Sequence, residues 1–439
     1  MKAADLPTYY NICEILEHNL EHRGDKIALL SENGSFTFRE VSEQVNRVGN
    51  ALIRSGVQFG ECVAILCPDR PEWVSVFFAT AKIGGVALGL NTLLKTDEYD
   101  YILKDARVKV LVVHDSLKAL VEPIIKKHDT LIKVITVTDN KSIKCTTFTD
   151  WIDGEESELD SATTHREDFC SLHYSSGTTG VPKGVLHMHK DYPLIAQLSG
   201  VDLFGIKASD RTFSVAKLFF VYGIGANLIF PWYVGASCVL YAGSPRQVAG
   251  VLKSIETFEP TIFVSVPTVY AAILAFPRFQ ERYNLASVRM CLSAGEALPV
   301  PVWNTWCEKT ALKILDTIGC TETFHTFLAN RPGAIRPGSS GKPFKGYDIR
   351  LVDDGGNDVP QGTVGHLLVR GESVALSYLH QYEKSRETFR GEWLFTGDRY
   401  YVDEGGFYWH AGRGDDMLKV GGIWCSPVEI EAKLVEHPQ

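Results

Sequence analysis

Short apolar, β-branched runs recur along the chain, separated by helical patterns, and this alternation constrains the fold more than any other feature. "CVAILC" (Cys62 to Cys67), "KVLVVH" (Lys109 to His114) and "KVITVT" (Lys133 to Thr138) come first. "TIFVSV" (Thr261 to Val266), "VRMCLSAG" (Val288 to Gly295) and "KILDTIG" (Lys313 to Gly319) follow. Strands that are apolar on both faces belong to parallel sheets covered by helices on each side. "FREVSEQVNRVGNALIRSG" and "PEWVSVFFATAKIGG" supply such helices, each closed by a glycine stop. With 439 residues, 45% hydrophobic and 22% charged, the chain can bury a large core over more than one subdomain.

Beyond about Arg331 the texture changes. "YDIRLVDDGGNDV" and "RYYVDEGGFYWHAG" both read as strand, turn, strand, so a small β-subdomain is expected after the α/β body. The chain ends at "EIEAKLVEHPQ", inside an amphipathic helical pattern, which reads as the start of a further C-terminal part.

Several function classes drop out. A net charge of -9 without a basic block argues against nucleic acid or anionic membrane as partner. The ten cysteines are scattered without zinc spacing, and read as free thiols of a reducing compartment. The N-terminal "MKAADLPTYYNICEILEHNLEH" lacks an apolar signal core, so a cytoplasmic location is expected. The uncharged stretch Leu218 to Ala242 is long enough to span a bilayer, but Gly223, Gly225, Asn227, Pro231 and Gly235 interrupt it. It reads better as buried helix, turn and core strand.

"YSSGTTGVPKGV", Tyr174 to Val185, follows a buried strand pattern and precedes another ordered segment. Free backbone N–H groups, three hydroxyls (Ser176, Thr178, Thr179) and the Lys183 ammonium would suit an anion. No P-loop pattern fits, and composition alone leaves a plain loop open. The stretch resembles the phosphate loop of the acyl-adenylate-forming superfamily, which includes acyl-CoA synthetases, luciferases and peptide-synthetase adenylation domains. "SAGEAL" (Ser293 to Leu298), "GCTE" (Gly319 to Glu322) and "FTGDRYYVDEGGFYWHAGRGDDMLKVGG" (Phe395 to Gly422) follow in the superfamily's order. "AKLFFVYGIGANL", "TETFHTFLANRPGA" and "GDDMLKVGGIWCSPVEIE" are most similar to the benzoate-CoA ligase group.

The resemblance implies a large N-terminal α/β domain of residues 1–412, with two helix-covered mixed or parallel sheets (1–170 and 171–330) and a β-barrel-like subdomain (331–412). Residues 413–439 would be the hinge, centred on Asp415, and the beginning of a small mobile domain that is mostly missing. The family's adenylating lysine lies in that domain, so no lysine present takes the role, and the chain alone is expected to be weakly active. It implies a nucleotide site of Ser175, Ser176, Gly177, Thr178, Thr179, Gly180, Lys183, Gly295, Glu296, Ala297, Asp316, Thr321, Asp398 and Arg413. Thr321 would bond the α-phosphate, Glu322 would ligate Mg²⁺, and Asp398 with Arg413 would hold the ribose. Taken alone, Thr321–Glu322 would read as a helix cap and Asp398 as a surface charge. The glycines of "KVGG" would line a pantetheine channel.

The implied acyl pocket comprises Val221, Tyr222, the segment Ser265 to Thr268, Ala294, Gly295, Ile318, Gly319, Phe324, His325 and Thr326. Tyr222 and Phe324 would also serve as plain core residues. His325 resembles a carboxylate contact. Thr326 is polar where benzoate enzymes tend to be aliphatic, which suggests an amino or hydroxyl group on the ring. Ile318 replaces a common aromatic residue, so base stacking there should be weaker. The implied activity is aryl acid–CoA ligation with ATP, Mg²⁺ and CoA, through an aryl-AMP. Alternatives are an adenylation domain that loads a carrier protein and a non-catalytic binding fragment.

Overall fold

The structure, a computed structural model, describes residues 1–140, 145–175 and 181–413, and the backbone of a small hairpin, Leu418–Val420 with Ile423–Cys425. Three sheets carry the fold. The first has six strands in the order Lys133–Val137, Val110–His114, Cys62–Leu66, Val86–Gly89, Phe169–Ser175 and Lys183–Met188. All neighbours are parallel except the last pair. Every residue of Cys62–Leu66 and Val86–Gly89 is buried, as strands covered on both faces must be.

The covering helices follow local chemistry. Phe38–Arg54 opens on a capping box: Thr37 Oγ1 accepts from the Glu40 N–H at 3.2 Å, and Glu40 Oε2 accepts from the Thr37 N–H at 2.7 Å. Pro71–Lys82 begins with proline in the first turn. Gly56 and Gly84, just past the two helices, take left-handed backbones, as the glycine stops require. The two helices pack together, and the buried Lys82 ammonium binds Asn46 Oδ1 at 2.6 Å and the Glu17 carboxylate.

The second sheet has nine strands. Ile314–Gly319, Met290–Ser293, Ile262–Ser265, Arg211–Ser214, Ser237–Val239 and Ile27–Ser31 lie side by side and parallel, with antiparallel strands at both edges. The two sheets do not divide near residue 170. The hairpin of Ile27–Ser31 with Gly34–Thr37 joins the second sheet, and Phe169–Ser175 with Lys183–Met188 joins the first. A division by chain position misses this because β-pairing, not proximity in sequence, assigns a strand to its sheet.

The third sheet is antiparallel, built from Tyr347–Val352, Gly365–Gly371, Trp393–Val402, Phe389–Arg390 and Tyr408–Arg413. The expected hairpin at 399–412 is present. That at 347–359 is not a full hairpin: Tyr347–Val352 pairs with Gly365–Gly371, and the return leg makes a single bridge, Val352 to Asp358. Asp353 Oδ1 accepts the N–H groups of Gly355 and Asn357, which tightens the turn. After the turn Val359 packs only partly against the core, whereas Leu367 and Val369 are fully buried.

The uncharged stretch from Leu218 forms buried helical turns, Val221–Ile224, Gly225–Ile229 and Phe230–Tyr233, followed by the core strand Ser237–Val239. The middle turn is π-wound, a form common beside functional sites. Among the described residues, no helix is long and apolar enough to cross a membrane.

Gly341 sits where the second and third sheets meet. Its φ is +84°, a Cβ there would lie 1.9 Å from the Ala329 carbonyl carbon, and its own carbonyl accepts from the Tyr408 N–H at 2.9 Å. Gly341→Ala is expected to lose at least about 2 kcal/mol of stability, through left-handed strain and backbone overlap together. Urea unfolding midpoints of the two proteins measure this.

Candidate active site

The site forms at the C-terminal ends of the parallel strands, where open α/β sheets expose loops and unpaired backbone groups. Met290–Ser293 runs into Ala294, Gly295 and Glu296, and Ile314–Gly319 runs into Cys320, Thr321 and Glu322. Ser293 lies opposite Asp316 in the ladder, so the two exits emerge together. Gly295 takes a φ of +90°, which lets the chain turn across the strand ends.

Two cavities flank this rim. One, of about 580 Å³, is polar, and brings together Ser175, Lys183, Glu296, Asp316, Thr321 and Asp398. Gly295, Ala297, Glu322 and Arg413 also line it, so every described residue expected at the nucleotide site is present. Ser176, Gly177, Thr178, Thr179, Gly180 and Asp415 lie outside the described residues, as do Gly421 and Gly422. Asp398 accepts from Arg413 Nη1 at 3.0 Å across the pair of antiparallel strands. Burial raises the Asp398 carboxyl above its usual range, against the lowering influence of Arg413 and His410.

The Thr321–Glu322 pair stands on a single 3-10 turn, Thr321–Thr323. It is fixed from below. His187, wholly buried, reaches Asp191 Oδ2 at 2.9 Å and the Thr321 carbonyl at 2.7 Å. Thr323 Oγ1 donates to the His325 carbonyl at 2.6 Å. Phe324 then adopts a φ of +68°, and its ring turns into the core against Tyr192 at 4.4 Å and His187 at 5.0 Å. Phe324 therefore does not line the acyl pocket, contrary to expectation, because the reversal after the 3-10 turn points it away.

The second cavity, of about 940 Å³, is mainly apolar. Val221, Tyr222, Ala294, Gly319, His325 and Thr326 line it, and Val266 and Thr268 close one wall. Ile318 is a further correction: it faces the nucleotide cavity. Gly225 makes room for His325, since a Cβ there would lie 2.4 Å from the imidazole Cδ2. His325 Nε2 donates to the Tyr222 carbonyl at 3.3 Å, and the buried Nδ1 has no hydrogen-bond partner among the described residues. Burial pushes the imidazole down to about 4, so the ring is neutral at pH 7. Tyr222 OH donates to the Ser265 carbonyl at 3.2 Å, and burial raises its phenol. Gly295, Glu296, Gly319, Cys320 and Thr321 line both cavities, so the apolar chamber opens onto the polar one.

Sequence reasoning missed Lys217, Phe219 and Phe220 on the acyl side and Tyr378 and Lys384 on the polar side. Lys217 donates to the Gly243 carbonyl at 2.7 Å. Burial lowers its pKa, partly offset by Asp69, whose own carboxyl burial raises to about 6. The segment "AKLFF" carried the signal for Lys217 and its neighbours; nothing local marked Tyr378.

Residues 16–379 match the AMP-binding enzyme family. The chain belongs to that family. Among curated members of the family, the benzoate–CoA ligase of Thauera aromatica is 40% identical over 99% of this chain and 82% of its own length. The anthranilate–CoA ligase of Pseudomonas aeruginosa is 35% identical over 86% of this chain and 71% of its own. Among solved structures, an anthranilate CoA ligase in complex with anthranoyl-AMP superposes with a TM-score of 0.98 at 56% identity, covering 100% of this chain and 84% of the other. A benzoate CoA ligase from Burkholderia xenovorans superposes with a TM-score of 0.90 at 35% identity, covering 98% and 84%.

Two outcomes are expected of the polar cavity. Asp398→Ala should weaken AMP binding by about 1–3 kcal/mol, the range for buried hydrogen bonds to a charged group, as titration calorimetry would register. Asp316 is buried and its carboxyl is pushed up to about 8, burial being the main cause. The folded state thus holds this proton at pH values where the unfolded chain, titrating near 4, has lost it. Its contribution to stability is greatest below the unfolded pKa and declines as pH rises toward about 8. Asp316→Asn should therefore gain stability relative to wild type between pH 5 and pH 8 and level off above, as denaturant midpoints at several pH values would record.

Proposed function

We propose that the chain is an aryl acid–CoA ligase acting through an aryl-AMP. The observation that carries this is the shared rim: a ring in the apolar cavity places its carboxylate at Gly319–Thr321, beside the cavity suited to a nucleotide. A carboxylate oxygen attacks the α-phosphorus of ATP, the bond to the β-phosphate oxygen breaks, and pyrophosphate leaves. The CoA thiol then attacks the acyl carbon, gives up its proton, and AMP departs. The names of the relatives, benzoate and anthranilate CoA ligases, support the choice of acid and acceptor.

In this reading Lys183 and the loop before it hold the β- and γ-phosphates, and Thr321 bonds the α-phosphate. Asp316 and Gly295–Ala297 adjoin the adenine, and Asp398 with Arg413 takes the ribose hydroxyls. Positioning and charge neutralisation supply the catalysis, without a protein nucleophile. Glu322 fits a role as Mg²⁺ ligand, because its carboxylate lines the polar cavity. No cluster of three or more His, Cys, Asp or Glu among the described residues could hold a metal alone, which suits a hard cation that takes most of its oxygens from phosphate and water. Bound there, Mg²⁺ would neutralise phosphate charge.

The state of His325 favours a ring with a donor. With Nε2–H committed to the Tyr222 carbonyl, Nδ1 is a buried acceptor with no hydrogen-bond partner among the described residues, and a small adjustment of the ring would bring it to the cavity that His325 lines. A carboxylate contact would need a proton there, whereas an amino or hydroxyl hydrogen would satisfy it directly. The Thr326 hydroxyl already has a neighbour in Thr317 Oγ1 at 3.4 Å, so His325 is the stronger candidate for reading the ring.

A site built to bond a substrate group discriminates strongly against ligands that lack it. 2-Aminobenzoate, hydroxybenzoates and benzoate should all yield aryl-CoA in a product assay, and medium-chain fatty acids should not compete. His325→Phe should lower kcat/KM for 2-aminobenzoate about tenfold or more while affecting benzoate less, the order expected for one buried hydrogen bond with its desolvation. Equal losses on both acids would remove His325 from ring recognition, and preference for fatty acids would overturn the aryl assignment.

A further inference from the structure

Lys183 and Glu322 carry opposite charges in the same half-buried cavity. They do not form an ion pair, although Glu322 is the foremost influence that raises the Lys183 pKa against its burial. Tyr378 contacts both of them. Its hydroxyl donates to Glu322 Oε1 at 2.6 Å, and its ring face lies 4.9 Å from Lys183 Nζ. A charge-assisted hydrogen bond satisfies one carboxylate oxygen, and the ring quadrupole attracts the ammonium, so each charge has a partner that is not the other.

The tyrosine is held firmly. It is buried, its ring packs on Phe389 at 5.2 Å, and its backbone N–H donates to Ser385 Oγ at 2.9 Å. Its segment stitches together the two strips that carry the charges. Ala375 N–H donates to the Glu322 carbonyl at 2.8 Å, and Leu379 N–H donates to the Gly184 carbonyl at 2.8 Å.

We propose that Tyr378 is a positioning residue that keeps the phosphate-binding ammonium of Lys183 and the cation-binding carboxylate of Glu322 apart and available; the proposal rests on the nucleotide reading of the polar cavity. Were the two charges to pair, that ion pair would have to open before phosphate or cation could bind. Tyr378 makes the separation part of the folded state, so no reorganisation is needed when the nucleotide arrives.

The test is titration calorimetry of ATP into the full chain over a range of Mg²⁺ concentrations, for wild type, Tyr378→Phe and Tyr378→Leu. Tyr378→Phe keeps the ring and loses the hydroxyl. The Mg²⁺ concentration that gives half of the full enhancement of ATP binding should rise about tenfold, the order expected for losing one hydrogen bond to a charged group. Tyr378→Leu also loses the ring and should weaken ATP binding further. Affinity for 2-aminobenzoate, titrated separately, should stay at the wild-type value in both. An unshifted Mg²⁺ midpoint in Tyr378→Phe, or acid affinity falling in step with ATP affinity, would show that Tyr378 only packs. Leucine and phenylalanine variants with the same ATP affinity would remove the ring's part. A wild-type chain that binds no ATP would overturn the nucleotide reading and this proposal together, whereas normal ATP binding with an unshifted midpoint overturns this proposal alone.

Discussion

Parallel pairing of Met290–Ser293 with Ile314–Gly319 sets Ser293 opposite Asp316, and both strands end at the same edge of the sheet. Every polar group at the candidate site is placed relative to that edge. Glu296 leaves one strand and Thr321 and Glu322 leave the other, within a few residues of the ladder's end. A shift in this register would move the rim shared by the two cavities, and they would no longer meet there. The strands are buried, so the hydrophobic effect and the ladder hydrogen bonds hold the register jointly.

Around that edge, each charged or titratable group has a fixed partner. Tyr378 contacts both Lys183 and Glu322, which do not pair with each other, whereas Asp398 is paired with Arg413 at the wall of the polar cavity. His325 is neutral, with one nitrogen committed and the other free. These groups are partly or wholly buried, where a hydrogen bond to a fixed partner is stronger than in water. Gly225 and Gly319 contribute by being small: a side chain at either would collide with His325 or its backbone.

The sequence determined the parallel strands, the two glycine-stopped helices and the antiparallel tail, because burial on two faces, on one stripe, and turn chemistry each leave a local pattern. The motifs also marked many of the residues that line the polar cavity, since each contributes a short, contiguous strip to it. Only the tertiary structure decided the rest. It assigned Ile27–Thr37 to the second sheet, because pairing partners lie far apart in the chain. It turned Phe324 into the core through a left-handed backbone that no propensity of phenylalanine predicts, and it placed Ile318 in the wall of the polar cavity and not of the apolar one. It also brought Tyr378 into contact with Lys183 and Glu322, across 195 and 56 residues of chain (378 − 183 and 378 − 322), and a contact at such separations has no local signal to read.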